Sequence, residues 1–245
     1  MSSGIWVAAS GASAQMTALD ATANNLANAT TPGYKADQAV FREHLAQAMF
    51  AGKAQPEMRY ASVATVSPDL RSGPLQVTQR PLDVAIDGDG YFKVQTPRGE
   101  RYTRAGAFQV GPGGTLVTPL GYAVLDGGGS PIHLPLDGGP ADIGQDGAIR
   151  VDGEEVGQLG VVNFEEPRAL VKDGDNLFRA TPGAGEPQPA QVPLHSGALE
   201  LPNVSIVKGM TDLVSATRAF EALEKAVEAY SDLERRAASD IIRAR

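Results

Sequence analysis

The chain has 245 residues, 42% of them hydrophobic, which is enough apolar material for a sizeable core and argues against disorder along its whole length. With 29 acidic against 21 basic residues the formal charge is −8, and Lys and Arg form no block with which to grip nucleic-acid phosphates. The absence of cysteine removes disulfides, thiolate metal sites and cysteine nucleophiles together.

The N-terminus lacks both parts of a secretory signal peptide, since no Lys or Arg precedes Lys35 and no continuous apolar core is present. No run of roughly eighteen apolar residues exists to span a bilayer. Instead Ile5, Ala9, Ala12, Met16, Leu19, Ala23 and Leu26 recur at steps of three and four, one stripe of a helix and a seam meant for another helix. Three alanines among seven positions let a partner approach closely but bury little area. The helix should end near Asn28, because Asn24, Asn25 and Asn28 precede Thr31-Pro32-Gly33, where Pro32 biases Thr31 out of the helical region and Gly33 permits positive φ.

From Ala36 to Met49 the positions Val40, Phe41, Leu45, Ala48 and Met49 lie near helical spacing and predict a short helix. Residues 52–68 read as extended connecting chain. From Leu75 the period becomes two: Leu82-Val84-Ile86, a turn at Asp87-Gly88-Asp89-Gly90 read as a hairpin, then Tyr91 to Gln95. Arg101-Tyr102-Thr103, residues 107–110, 116–118 and 122–125 continue a β-meander, with further strands expected at 132–136, 148–151, 157–164 and 176–179. Four prolines between Thr181 and Pro193 suggest a linker. Beyond it Leu213, Ala216, Phe220, Leu223, Val227 and Tyr230 form a second helical seam.

The expected organisation is a helix over 1–33, a short helix and connecting region over 34–74, a β domain over 75–180, a linker over 181–196 and a helical segment over 197–245. The fold class is α+β, with N- and C-terminal helices paired as a coiled coil and a central antiparallel all-β domain.

Chemistry-bearing motifs are scarce. Asp87-Gly88-Asp89-Gly90 lacks the twelve-residue ligand series of a calcium loop. His44, His133 and His195 show no metal-ligand spacing. Nucleophile-elbow, phosphate-loop and dinucleotide fingerprints are absent. An enzyme using Glu154-Glu155 or Glu165-Glu166 as acid and base is disfavoured, because adjacent carboxylates on a strand point to opposite faces.

The run Ala23-Asn24-Asn25-Leu26-Ala27-Asn28 followed by Thr30-Thr31-Pro32-Gly33-Tyr34-Lys35 resembles the N-terminal signature of bacterial flagellar rod and hook proteins. Leu82-Asp83-Val84-Ala85-Ile86-Asp87-Gly88-Asp89-Gly90-Tyr91-Phe92 and Tyr102-Thr103-Arg104-Ala105-Gly106-Ala107-Phe108 are similar to the family's central block. Leu199-Glu200, Asn203-Val204 and Arg218-Ala219-Phe220-Glu221 resemble its C-terminal motifs. The resemblance, greatest to proximal-rod members and next to distal-rod members, implies a structural subunit of the basal body. It would leave the cell by type III export without a cleaved signal peptide, and its terminal helices would assemble into a helical tube that transmits torque. The implied partners are other rod proteins, copies of itself and the export apparatus, with no cofactor, metal, nucleic acid or small-molecule substrate. Asn24, Asn25, Asn28, Thr31, Gly33 and Tyr34 are its signature positions. The amides of the asparagines would bond backbone groups at the helix end or in a neighbouring subunit. The rival readings are a secreted β-domain binding module on a helical stalk, and terminal helices that merely pack on their own β domain.

Overall fold

Helix-period sequence at both ends and strand-period sequence between them sort into two units in the computed structural model, which describes residues 3–46 and 58–243. One unit comprises Met1–Ala27, Asp37–Ser67 and Ser205–Arg245; the other comprises Asn28–Ala36 and Pro68–Val204. The first is built of helix α1 (Ser3–Ala27), strands β1 (Asp37–Ala46) and β2 (Met58–Pro68), which pair as a two-stranded sheet, and helix α2 (Ile206–Arg243).

Strand β1 replaces the short helix expected over 36–49; residues 47–49 of that expectation lie outside the described residues. Five apolar positions at approximate helical spacing are a weak propensity signal. A ten-residue strand beside β2 outweighs it by completing a backbone ladder.

Helices α1 and α2 run antiparallel in contact. Leu26 Cδ1 approaches the position a Cβ on Gly209 would take, both Leu223 methyls lie 3.6 Å from the corresponding position at Gly11, and Gln15 Nε2 donates to the Ala216 carbonyl at 3.5 Å. Of the seam residues expected on α2, Ala216 is buried, Leu213, Phe220, Leu223 and Val227 are half-buried, and Tyr230 is exposed. On α1 the expected stripe is turned partly away. Ala8, Ala14 and Ala21 are buried, Ile5, Ala12, Leu19 and Leu26 are half-buried, and Ala9, Met16 and Ala23 are exposed. The contact face is rotated by about 100°, one residue of helix. Alanine occupies so many positions of α1 that several phases of the stripe are equally apolar, and close approach selects the phase with Gly11 at its centre.

The second unit is all β. Its strands are β3 (Leu75–Val77), β4 (Val84–Ile86), β5 (Tyr91–Thr96), β6 (Gly99–Thr103), β7 (Gln109–Val110), β8 (Leu116–Val117), β9 (Ala123–Val124), β10 (Ala141–Ile143), β11 (Ala148–Val151), β12 (Glu154–Gln158), β13 (Val161–Asn163), β14 (Val171–Lys172), β15 (Phe178–Arg179), β16 (Gln188–Pro189), β17 (Leu194–Ser196) and β18 (Ala198–Glu200). The main sheet has the order β14-β15-β6-β5-β9-β8-β7, with β13 joined to β5 and β16 to β13. Strands β10, β11 and β12 form a second sheet, and the pairs β17-β4 and β18-β3 stand apart.

Three local expectations change. The Asp87–Gly90 turn is no hairpin: β4 pairs with β17, and β5 pairs with β6, β9 and β13. All three residues of β4 are buried, so it does not alternate and its partner comes from far along the chain. Residues 181–196 are no linker but carry β16 and β17, with Pro189 on an edge strand where its missing N–H costs nothing. Residues 132–136 form no named strand and make one isolated bridge, His133 with Thr115; a second bridge joins Leu125 to Pro131 just before them.

Strand β5 is the hinge of the core because it is buried on both faces. Phe92 and Val94 point into one cluster with Val84, Phe108, Leu116 and Ile149; Tyr91 points into a second with Tyr102, Phe164, Leu170 and Phe178. In the second cluster Tyr102 meets Phe164 edge-on at 4.8 Å and Tyr91 meets Phe178 at 5.6 Å. Burial raises the Tyr91 phenol from 10.0 to about 12, against the opposing pull of the Arg104 cation. Burial also raises Tyr102, helped by its hydrogen bond to Glu100.

A raised phenol makes the stability it supports complete below the unfolded value and lost as pH climbs through the folded one. Between pH 10 and 12 the Tyr91→Phe variant should therefore lose less stability than the parent, by about 2–3 kcal/mol at the upper limit. Urea unfolding at stepped pH checks this, and parallel curves would refute it.

Candidate functional site

The six residues after the helix-end asparagines are threaded into the β unit. Asn28 and Thr31 close the turn, with Thr31 N donating to the Asn28 carbonyl at 3.0 Å and Thr31 Oγ1 meeting Asn28 Oδ1 at 3.2 Å. Gly33 must be glycine: its φ is +70°, and a Cβ would stand 2.4 Å from Ala105 N. Its N–H donates to the Glu200 carbonyl at 2.7 Å. Asn176 Nδ2 donates to the Pro32 carbonyl at 2.8 Å. Tyr34 is buried, with the Lys172 ammonium 4.1 Å from its ring centroid.

Lys35 then enters with no exposed surface. Its Nζ donates to Glu200 Oε1 at 2.6 Å and to the Arg71 carbonyl at 2.9 Å. Glu200 Oε1 also accepts from Gly73 N at 2.8 Å, and Glu200 Oε2 lies 3.4 Å from Arg104 Nη1. The Arg104 Nη2 donates to the Gly88 carbonyl at 2.8 Å, and the guanidinium sits 5.3 Å from the Tyr91 ring centroid. Burial pulls the Lys35 ammonium below the ordinary lysine value, opposed chiefly by the Glu200 carboxylate.

One residue further on, Ala36 N donates to Asn203 Oδ1 at 2.7 Å, while Asn203 Nδ2 donates to the carbonyls of Asp69 and Arg71. Three passes of chain, 31–36, 69–73 and 200–203, are thus stitched together by side chains reaching for backbone groups. Lys35, Arg104, Glu200 and Asn203 were not singled out from sequence. The signal was there: each lies in one of the runs that resemble the family, but nothing in local spacing couples them.

Within the helical unit Asn25 grips Asp37 from both sides, Nδ2 donating to the Asp37 carbonyl at 2.8 Å and Oδ1 accepting from Asp37 N at 2.7 Å. Asn24 Nδ2 reaches Asp37 Oδ2 at 3.4 Å. The signature asparagines thus bond within their own chain. Glu154, Glu155, Glu165 and Glu166 are exposed, and the exposed His195 ring lies 3.1 Å from Asp87 Oδ2. Among the described residues no group of three His, Cys, Asp or Glu could hold a metal ion, and no helix is long and apolar enough to cross a membrane.

The runs that resemble the flagellar family thus supply the end of α1 and the buried ion cluster. Comparison with known proteins agrees in all three regions. Residues 5–35 match the family described as flagella basal body rod protein, residues 85–151 the flagellar hook protein FlgE/F/G D1 domain, and residues 195–240 the flagellar basal body rod FlgEFG protein C-terminal family. The flagellar basal-body rod protein FlgF of Caulobacter vibrioides is 38% identical over 231 residues, covering 93% of this chain and 94% of that relative. FlgG of Bacillus subtilis is 35% identical over 239 residues, and FlgF of Mesorhizobium japonicum 35% over 225. The chain belongs to the flagellar basal-body rod protein family.

Removing one member of the buried ion cluster should be costly, on the order of 3–5 kcal/mol. Glu200→Ala, which leaves two buried cations facing each other, should exceed Lys35→Met, which leaves Glu200 its Arg104 and Gly73 partners. Denaturant midpoints of the two variants test the order; a Glu200→Ala variant as mild as a surface change would contradict it.

Proposed function

We propose that this protein is a structural subunit of the flagellar basal-body rod, a proximal-rod subunit, with no catalytic activity. The observation that carries the reading is the surface of α1: between Ser3 and Ala27 only Asp20 is charged, yet Ala9, Met16 and Ala23 face outward. Such a surface is retained where neighbouring subunits cover it. The FlgF relatives support the proximal position. The FlgG relative at similar identity keeps a distal-rod role as the second reading.

In this reading Ile5, Ala9, Ala12, Met16, Leu19, Ala23 and Leu26 on α1, with Leu213, Ala216, Phe220, Leu223, Val227 and Tyr230 on α2, form the assembly seams. The two helices pair as a coiled coil whose outer faces pack against other rod proteins and further copies of the chain, building a tube that carries torque. The subunit reaches the periplasmic space through the flagellar export apparatus, without a cleaved signal peptide.

Leu213→Asp together with Phe220→Asp should abolish rod assembly, since each change puts a carboxylate into an apolar contact at a cost of several kcal/mol. The β unit should stay folded. Motility and basal-body completion in cells, beside the β signal in circular dichroism, provide the check. Swimming cells would remove the seam from assembly, and loss of the β signal would show that the helices belong to the β core.

A further inference from the structure

Helix α2 carries a second stripe that its own chain leaves bare. Val207, Thr211, Val214, Arg218 and Glu221 follow one another at steps of four and three and are all exposed, with Met210 beside them. Val207 is 78%, Met210 54% and Val214 52% exposed. These apolar residues occupy only the first turns of the helix, and charge takes over at Arg218. Helix α1 carries a matching outward stripe with the same steps: Ala9, Ser13, Met16, Asp20 and Ala23, again all exposed. Neither Asp20 nor Arg218 makes an ion pair among the described residues.

We propose that the exposed face of α2 around Val214 and Arg218 receives the outward face of α1 from a second copy of this chain, the two helices running parallel. The inference rests on the rod-subunit reading and deepens it by naming the contacting faces and their register. Setting Met16 against Val214 aligns the stripes row by row. Ala9 falls on Val207, small against large; Ser13 falls on Thr211, hydroxyl against hydroxyl; Asp20 falls on Arg218, carboxylate against guanidinium; Ala23 falls on Glu221 at the wetter end. Both pairs are separated by four residues, about 6 Å along each helix, so one register serves both.

The antiparallel alternative fails on the same arithmetic. With Met16 on Val214 it lays Asp20 over Met210, burying a carboxylate against an apolar side chain without a partner. With Asp20 on Arg218 it moves Met16 to Ala222 and draws the valines towards the end of α1, so the apolar match is lost. The α1 face and the α2 face are different surfaces, so the contact is heterologous. It leaves each copy with one unused face and continues along an array rather than closing a pair.

Charge reversal and crosslinking test the contact. Asp20→Arg and Arg218→Asp each place like charges together, and each should cut completed basal bodies roughly tenfold, the scale of like-charge juxtaposition at an interface. Asp20→Arg with Arg218→Asp in one chain should restore them. The parent has no cysteine, so chains carrying Met16→Cys co-expressed with chains carrying Val214→Cys should give, in oxidised basal bodies, a band at twice the 25.5 kDa chain mass. Neither variant expressed alone should match its yield. Full assembly by both single reversals, a double reversal worse than either single, or no mixed band would overturn the contact while the rod reading stands. Absence of the chain from purified basal bodies would overturn that reading and this inference with it.

Discussion

A single buried carboxylate ties the β unit together. Glu200 receives Lys35 at 2.6 Å, the Gly73 N–H at 2.8 Å and, at longer range, Arg104 at 3.4 Å. Three ions without exposed surface are not a cheap way to stabilise a domain, because desolvation consumes most of the Coulomb gain and a well-packed apolar trio would do as well or better. Charge adds direction. An apolar contact tolerates sliding, whereas a carboxylate shared among an ammonium, a guanidinium and a backbone amide admits one arrangement of the three segments that carry them. Those segments are the one after α1 with Lys35, the one after β2 with Gly73 and the one after β6 with Arg104, all closed around Glu200.

Two hydrophobic clusters, one on each side of β5, supply the stability. Neither draws a residue from α1 or α2. Burial of Phe92, Phe108, Leu116, Ile149 and Phe178 stabilises the β unit from its own side chains.

The legibility of these features in the sequence follows from how local each one is. The end of α1 was readable from Asn28, Pro32 and Gly33, because helix termination is decided within one turn. The α2 helix itself was readable because Leu213, Phe220 and Leu223 are large and only one phase of the helix collects them. The α1 stripe was misphased because alanines leave several phases equivalent, and only the close approach of Leu223 to Gly11 separates them. Strands β5 and β11 were readable from composition. The pairing of β4 with β17 was not, since it joins Val84 to Ser196 across most of the domain, and neither was the bond from Lys35 to Glu200. Long-range partnership leaves no periodic trace in one sequence. The family motifs mark the partners without saying that they meet.

Two paired helices have a geometric limit that bears on assembly. Each can turn only one stripe towards the other, so any helix apolar or uncharged on more than one side is left with surface that a single chain cannot cover. Helix α1 is such a helix over its described side chains apart from Asp20, and α2 exposes apolar side chains in its first turns, at Val207, Met210 and Val214, and again at Tyr230 and Leu233, with Arg218, Glu221, Glu224, Lys225 and Glu228 between them. In the proposed contact between copies, two such unlike faces meet, so one of each kind is left unsatisfied at the ends of the array and addition is heterologous rather than closed.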